Sequence, residues 1–206
     1  MYKPNKLILN FILADFFLQS GWGFVGPVFA IFMTENISGA TIGAVGVAAG
    51  VYWITKSTFQ PFIARVMDVI KGDEDDINFL EGGLIALGFL SLGYLFASNI
   101  WHIFIIEFLR GIAQACVVPA WYGMFTNYMD KEWRSFTWAI HSTFIGYALG
   151  FTAIFGGMIA DRIGFNAVFV LVAVSAFISA LIVYNLKRNN LTLLNEEKQE
   201  SSKNTK

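Results

Sequence analysis

The residues of this chain that could do chemistry are charged and polar side chains set inside apolar runs. Asp15, Lys56, Glu107 and Arg110 each lie in a stretch of otherwise apolar sequence, and His141 adds another titratable group. A charge inside a bilayer costs from about 2.5 to well over 10 kcal/mol, depending on the measure. Each such residue therefore needs a partner or a wet cavity. Their spacing groups them on helix faces. Asp15, Gln19 and Trp22 follow i, i+4, i+7, and Tyr52, Lys56 and Gln60 follow i, i+4, i+8. Glu107, Arg110 and Gln114 make a similar stripe. The chemistry such a set can do is binding and release. A carboxylate can take up and give back a proton, and a cation can pair with it or with an anionic group. The bland alternative is that the same residues lock helices together, and for His141 a hydrogen-bonded packing role is the first reading.

The elements that must position these residues follow from composition and hydropathy. Of 206 residues, 56% are hydrophobic and only 14% charged, with 21 Phe, and the mean hydropathy is +0.57. Soluble domains average about 45–50% apolar and about 25% charged, so the chain reads as an integral membrane protein. About 20 mostly apolar residues cross the hydrocarbon as a helix. Six stretches qualify, at approximately 7–33, 40–66, 77–98, 101–127, 135–160 and 166–186. The expected organisation is an all-α membrane domain over 1–186 and a polar, disordered cytoplasmic tail over 187–206.

Short basic loops stay cytoplasmic. With the N-terminus inside, Lys3, Lys6, Arg65, Lys71, Lys131, Arg134 and the basic residues of the tail all fall inside, and among the loops only Arg162 falls outside. Both termini are therefore expected on the cytoplasmic side of the cell membrane. At 1.5 Å of rise per residue, Asp15 lies roughly 12 Å and Lys56 roughly 15 Å from the inner ends of their helices. These depths predict that the two can meet as an ion pair. The first, second, fourth and fifth spans carry polar interiors, whereas the third and sixth do not. Four helices around a polar space, with two packed at the lipid side, is the expected arrangement.

Several classes are excluded at this level. A net charge of -1 offers nothing to nucleic acid, and the single Cys116 allows no disulfide framework or cysteine metal site. His102 and His141 form no paired ligand motif, so neither metal nor cofactor is expected. No phosphate-binding Gly-x-x-x-x-Gly-Lys-Ser/Thr motif indicates an ATP-driven pump, and no nucleophile–base set indicates an enzyme. Small residues have their own pattern. Ser142, Gly146 and Gly150 recur every four residues as a face for close helix contact, and Gly21, Gly23, Gly26 and Pro27 are expected to bend the first span.

Motifs add a resemblance. LRGIAQACVVPA holds Arg110 and Gln114, GYALGFTAIFGG is glycine-rich, and GGMIADRIGFNAVF runs from Gly156 to Phe169. After the second span comes ARVMDVIKG, Ala64 to Gly72. In this order the chain resembles one six-helix half of a major facilitator superfamily transporter, over residues 6–186. The resemblance implies an Arg-x-x-x-Gln motif at Arg110 and Gln114, a close-packed fifth helix, and a gating loop at Asp68. The gating-loop pattern lacks its leading Gly and its Arg here, and acidic residues replace the basic cluster. Ala64-x-x-x-Asp68 is echoed by Gly157-x-x-x-Asp161, as two 3+3 inverted repeats require. Each six-helix half of a transporter in that superfamily is built from such a pair of repeats.

The expected function is a half-size secondary transporter of a small molecule, working by alternating access with proton coupling and as a homodimer. Asp15, Gln19, Lys56, Glu107, Arg110, Gln114 and His141 line its cavity, with Asp15 as the proton site. The alternatives are a non-transporting membrane scaffold derived from a transporter half, and a half that pairs with a separately encoded partner. Substrate, direction and coupling ion are not legible in the sequence.

Overall fold

The computed structural model describes the backbone of residues 5–70 and 73–203, and side chains up to Arg188 apart from that of Asp73. Lys3, Lys71 and Gly72 lie outside the described residues. Every regular element is helical: α1 Lys6–Val25, α2 Phe29–Asn36, α3 Ile42–Ile70, α4 Asp73–Gly93, α5 Ile100–Tyr128, α6 Arg134–Arg162 and α7 Phe165–Lys203. A 3-10 turn, Tyr94–Phe96, follows α4. Five of these segments are long and apolar enough to cross a membrane: Lys6–Val25, Glu74–Phe96, Ile100–Tyr128, Arg134–Arg162 and Phe165–Arg188. The remaining long helix, α3, carries Lys56, Ser57, Thr58 and Gln60 through its middle.

Local sequence explains where the helices begin and break. Asn5 caps α1, its side-chain oxygen accepting from the Ile8 amide at 2.8 Å. The first apolar stretch, expected as one span over 7–33, is two helices. Pro27 has no amide hydrogen to continue the ladder and its ring crowds the preceding turn, so α1 stops at Val25 and α2 restarts at Phe29. Asn99 caps α5 by accepting from the amides of Trp101 and His102 at 3.0 and 3.3 Å. Between α6 and α7, Gly164 adopts φ +105, a conformation that favours glycine. At the far end, α7 continues to Lys203, so the backbone of the expected disordered tail is helical to that point. Leu, Glu, Lys and Gln, all good helix formers, make up much of that stretch.

The helices form an open array. α3 packs on α5, α5 on α4, α4 on α7, α7 on α1, and α1 on α6, leaving α3 and α6 as its two ends. One apolar core, built on Phe11, Leu80, Leu84, Phe125 and Val183, fills the end near Asn5. A second, built on Phe32, Met33, Ile103 and Phe169, fills the end near Asn99. The close approach of α6 to α1 does not use Gly146 or Gly150, around which a methyl group would meet nothing within 4 Å. It occurs where Gly156 faces the Phe24 backbone and Gly23 faces Leu149 and Thr152. The regular four-residue spacing identified a small stripe but not the face that packs.

Candidate functional site

Between α1, α3 and α5 lie two adjoining cavities. The first, ≈ 240 Å³, is lined by Asp15, Gln19, Lys56, Gln60, Gln114 and Tyr122 among others. The second, ≈ 310 Å³, continues from it past Trp22, Tyr52, Trp53 and Arg110. Gln19, Lys56 and Gln114 line both. The stripes read at helical spacing on the first, second and fourth apolar stretches therefore converge on one polar space. α4 and α7 pack against each other behind it.

Asp15 is held from two sides. Gln19 Nε2, one turn further along α1, donates to Asp15 Oδ1 at 3.2 Å. From α6, His141 Nε2 lies 2.7 Å from Asp15 Oδ2. The imidazole is set among three aromatic rings, Trp121, Phe125 and Trp138, with centroids 4.7, 5.5 and 5.7 Å away. Trp121 is itself fixed by stacking on Phe125 and by donating its indole N–H to the Phe11 carbonyl at 3.3 Å. The pair is not sealed: the side chains of His141 and Asp15 keep 12% and 13% of their surface exposed.

The expected Asp15–Lys56 ion pair is not formed. His141, on a helix packed directly against α1, reaches the carboxylate first. Lys56 instead places its ammonium 4.6 Å from the centre of the Trp53 ring. Neither of the ion pairs at the site, Arg110–Glu107 and His141–Asp15, includes Lys56.

Glu107 and Arg110 form a buried cluster towards the other end of the bundle, in which Arg110 Nε has no hydrogen-bond partner. One Arg110 nitrogen, Nη1, donates to Glu107 Oε1 and Oε2 at 2.8 and 3.0 Å. The Tyr94 hydroxyl donates to Glu107 Oε1 at 2.5 Å and accepts from Arg110 at 2.6 Å. The Trp22 ring covers the guanidinium at 3.7 Å, with Tyr52 and Tyr94 further out at 5.1 and 5.8 Å. Glu107 is 3%, Arg110 6% and Tyr94 3% exposed. Gln114 is buried beside this cluster, and its Oε1 has no hydrogen-bond partner.

Of the residues read from sequence, Asp15, Gln19, Lys56, Arg110 and Gln114 line the cavities, and His141 and Glu107 support them from behind. Asp68 does not join them. It is exposed in the last turns of α3, not in a loop. Tyr94 and Trp121 were missed. Tyr94 stands at the end of its span, where an aromatic reads as an interface anchor; Trp121, seven residues after Gln114, extends the stripe of Glu107, Arg110 and Gln114, a spacing that could have found it. Their roles arise from contacts made across helices.

The sequence profile of the Major Facilitator Superfamily matches residues 11–205. The chain belongs to this family and is a multi-pass membrane protein. Curated relatives include an uncharacterized MFS-type transporter of Methanocaldococcus jannaschii, 24% identical over 96% of this chain and 50% of its own length. The multidrug resistance protein MdtG of Citrobacter koseri is 23% identical over 93% of this chain and 47% of its own. This chain thus spans about half the length of the curated relatives it matches. Among solved structures, the POT family transporter PepTSo superposes with a TM-score of 0.68 at 14% identity, covering 91% of this chain and 38% of that one. That likeness concerns the fold.

Proposed function

We propose that this chain is a six-span transporter half that moves a small molecule by alternating access, with proton coupling at Asp15. The observation that carries the reading is the Asp15–His141 pair: two titratable side chains on different helices, hydrogen-bonded at 2.7 Å beside a polar cavity. A coupling site needs a proton affinity that differs between two conformations. A pair that bridges α1 and α6 has that property, because relative movement of these helices lengthens the bond and changes the carboxylate's surroundings.

α3 supplies the sixth span, its polar middle facing the cavity rather than lipid. The packing order supports a 3+3 inverted repeat. Exchanging α1 with α5, α3 with α6, and α4 with α7 turns the set of major helix contacts into itself. The positive-inside rule places both termini in the cytoplasm, and the name of a related Escherichia coli inner membrane transport protein agrees with a cell-membrane location. A second six-helix unit then closes the side left open between α3 and α6. A second copy of this chain, related by a twofold axis along the membrane normal, is the arrangement we favour.

The test uses proteoliposomes. Asp15→Asn keeps size and hydrogen bonding but removes titration, so exchange of substrate across the membrane survives while proton-driven accumulation fails. Accumulation by Asp15→Asn at the wild-type level, with unchanged pH dependence, removes Asp15 from the coupling role. Native mass spectrometry from nanodiscs that finds only monomers, with transport intact, removes the dimer.

A further inference from the structure

One charged side chain of the cavity has no ion-pair partner among the described residues. Arg110 is neutralised by Glu107 within the same helix. Asp15 is engaged by His141 and Gln19. Lys56, which lines both cavities, has no carboxylate within ion-pair distance among the described residues and rests only on the Trp53 ring. Gln19, Gln60 and Gln114 line the cavity with it. The walls on the far side are Trp22, Tyr52 and Trp53. Asp15 lines the same cavity but is hydrogen-bonded to His141 and Gln19, so the ion-pair position at Lys56 is open to a ligand carboxylate.

We infer that the cavity takes a small organic monoanion, a carboxylate on a flat apolar body, with Lys56 as its counter-ion. The carboxylate meets the Lys56 ammonium and the body lies along Trp22, Tyr52 and Trp53. The inference rests on the transport reading of this cavity and names its substrate class.

The experiment measures binding to the purified full chain in nanodiscs by quenching of tryptophan fluorescence. The probes share one skeleton: benzoate, benzamide and benzylamine. An ordinary carboxyl group titrates near 4, so benzoate is an anion at pH 7. Benzoate is expected to bind at least tenfold more tightly than benzamide or benzylamine. Lys56→Gln loses the preference for the anion without lowering the thermal unfolding temperature, and Lys56→Arg keeps it.

Benzamide or benzylamine binding as well as benzoate overturns the inference, as does no saturable benzoate binding by the wild-type chain. An unfolding temperature lowered by Lys56→Gln identifies Lys56 as a structural charge and overturns it too. The transport reading fails separately: it survives if liposomes accumulate a neutral or cationic solute, and it falls if benzoate binds but no solute crosses.

Discussion

The two charged clusters of this protein are built from similar residues and differ in how they are closed. Glu107 and Arg110 lie three residues apart on one helix, are 3% and 6% exposed, and share the Tyr94 hydroxyl. Asp15 and His141 lie on different helices and keep 13% and 12% of their side-chain surface. The first pair moves as one body with α5, so rearrangement of helices leaves its salt bridge unchanged. The second spans a helix interface, and under the proposed alternating access a shift of that interface would open it. Local closure suits a structural charge, and a bridge between two helices suits the proposed coupling role.

The largest effect that would break this contrast comes from Glu107. Glu107→Gln strands Arg110 in a buried site, and removing one partner of a buried pair costs about 3–5 kcal/mol. Thermal unfolding in detergent should show that loss, with little left to assay for transport. A fully stable Glu107→Gln protein would mean that Arg110 has another counter-charge. Next comes packing between α1 and α6. Gly156→Ala places a methyl group against the Phe24 backbone, and such overpacking costs about 1–3 kcal/mol. Gly150→Ala, with open space around it, should stay within about 0.5 kcal/mol of wild type. Equal effects at both positions would put the close contact elsewhere.

The smallest effect concerns the stability of the Asp15–His141 pair itself. Asp15→Asn and His141→Gln should each cost about 1 kcal/mol, the net worth of an ordinary hydrogen bond. A double-mutant cycle should show that the two costs are not additive. Pairing Asp15→Asn with Lys56→Gln instead should give additive effects, because those residues do not touch. Coupling to Lys56 and none to His141 would reverse the assignment of partners.

Much of this was legible in the chain. Apolar length predicted the helices, since the bilayer admits few other spanning structures, and helical periodicity placed Gln19, Lys56, Gln60 and Gln114 on the cavity faces. Glu107 and Arg110 could be paired from spacing alone because i and i+3 are neighbours on any helix. Proline chemistry also identified the weak point of the first span, though hydropathy alone ran through it as one helix. Charge placement and depth, however, predicted the wrong partner for Asp15. Depth is one coordinate, and two groups at similar depth on different helices meet only if those helices are adjacent and turned towards each other. The sequence determined which residues are costly in a membrane and which face of its own helix each occupies. Only the tertiary structure decided that α6 packs beside α1 while α3 packs on α5, which gives Asp15 to His141 and leaves Lys56 facing the cavity. Helix order is set by contacts between residues far apart in the chain, and no local pattern records them.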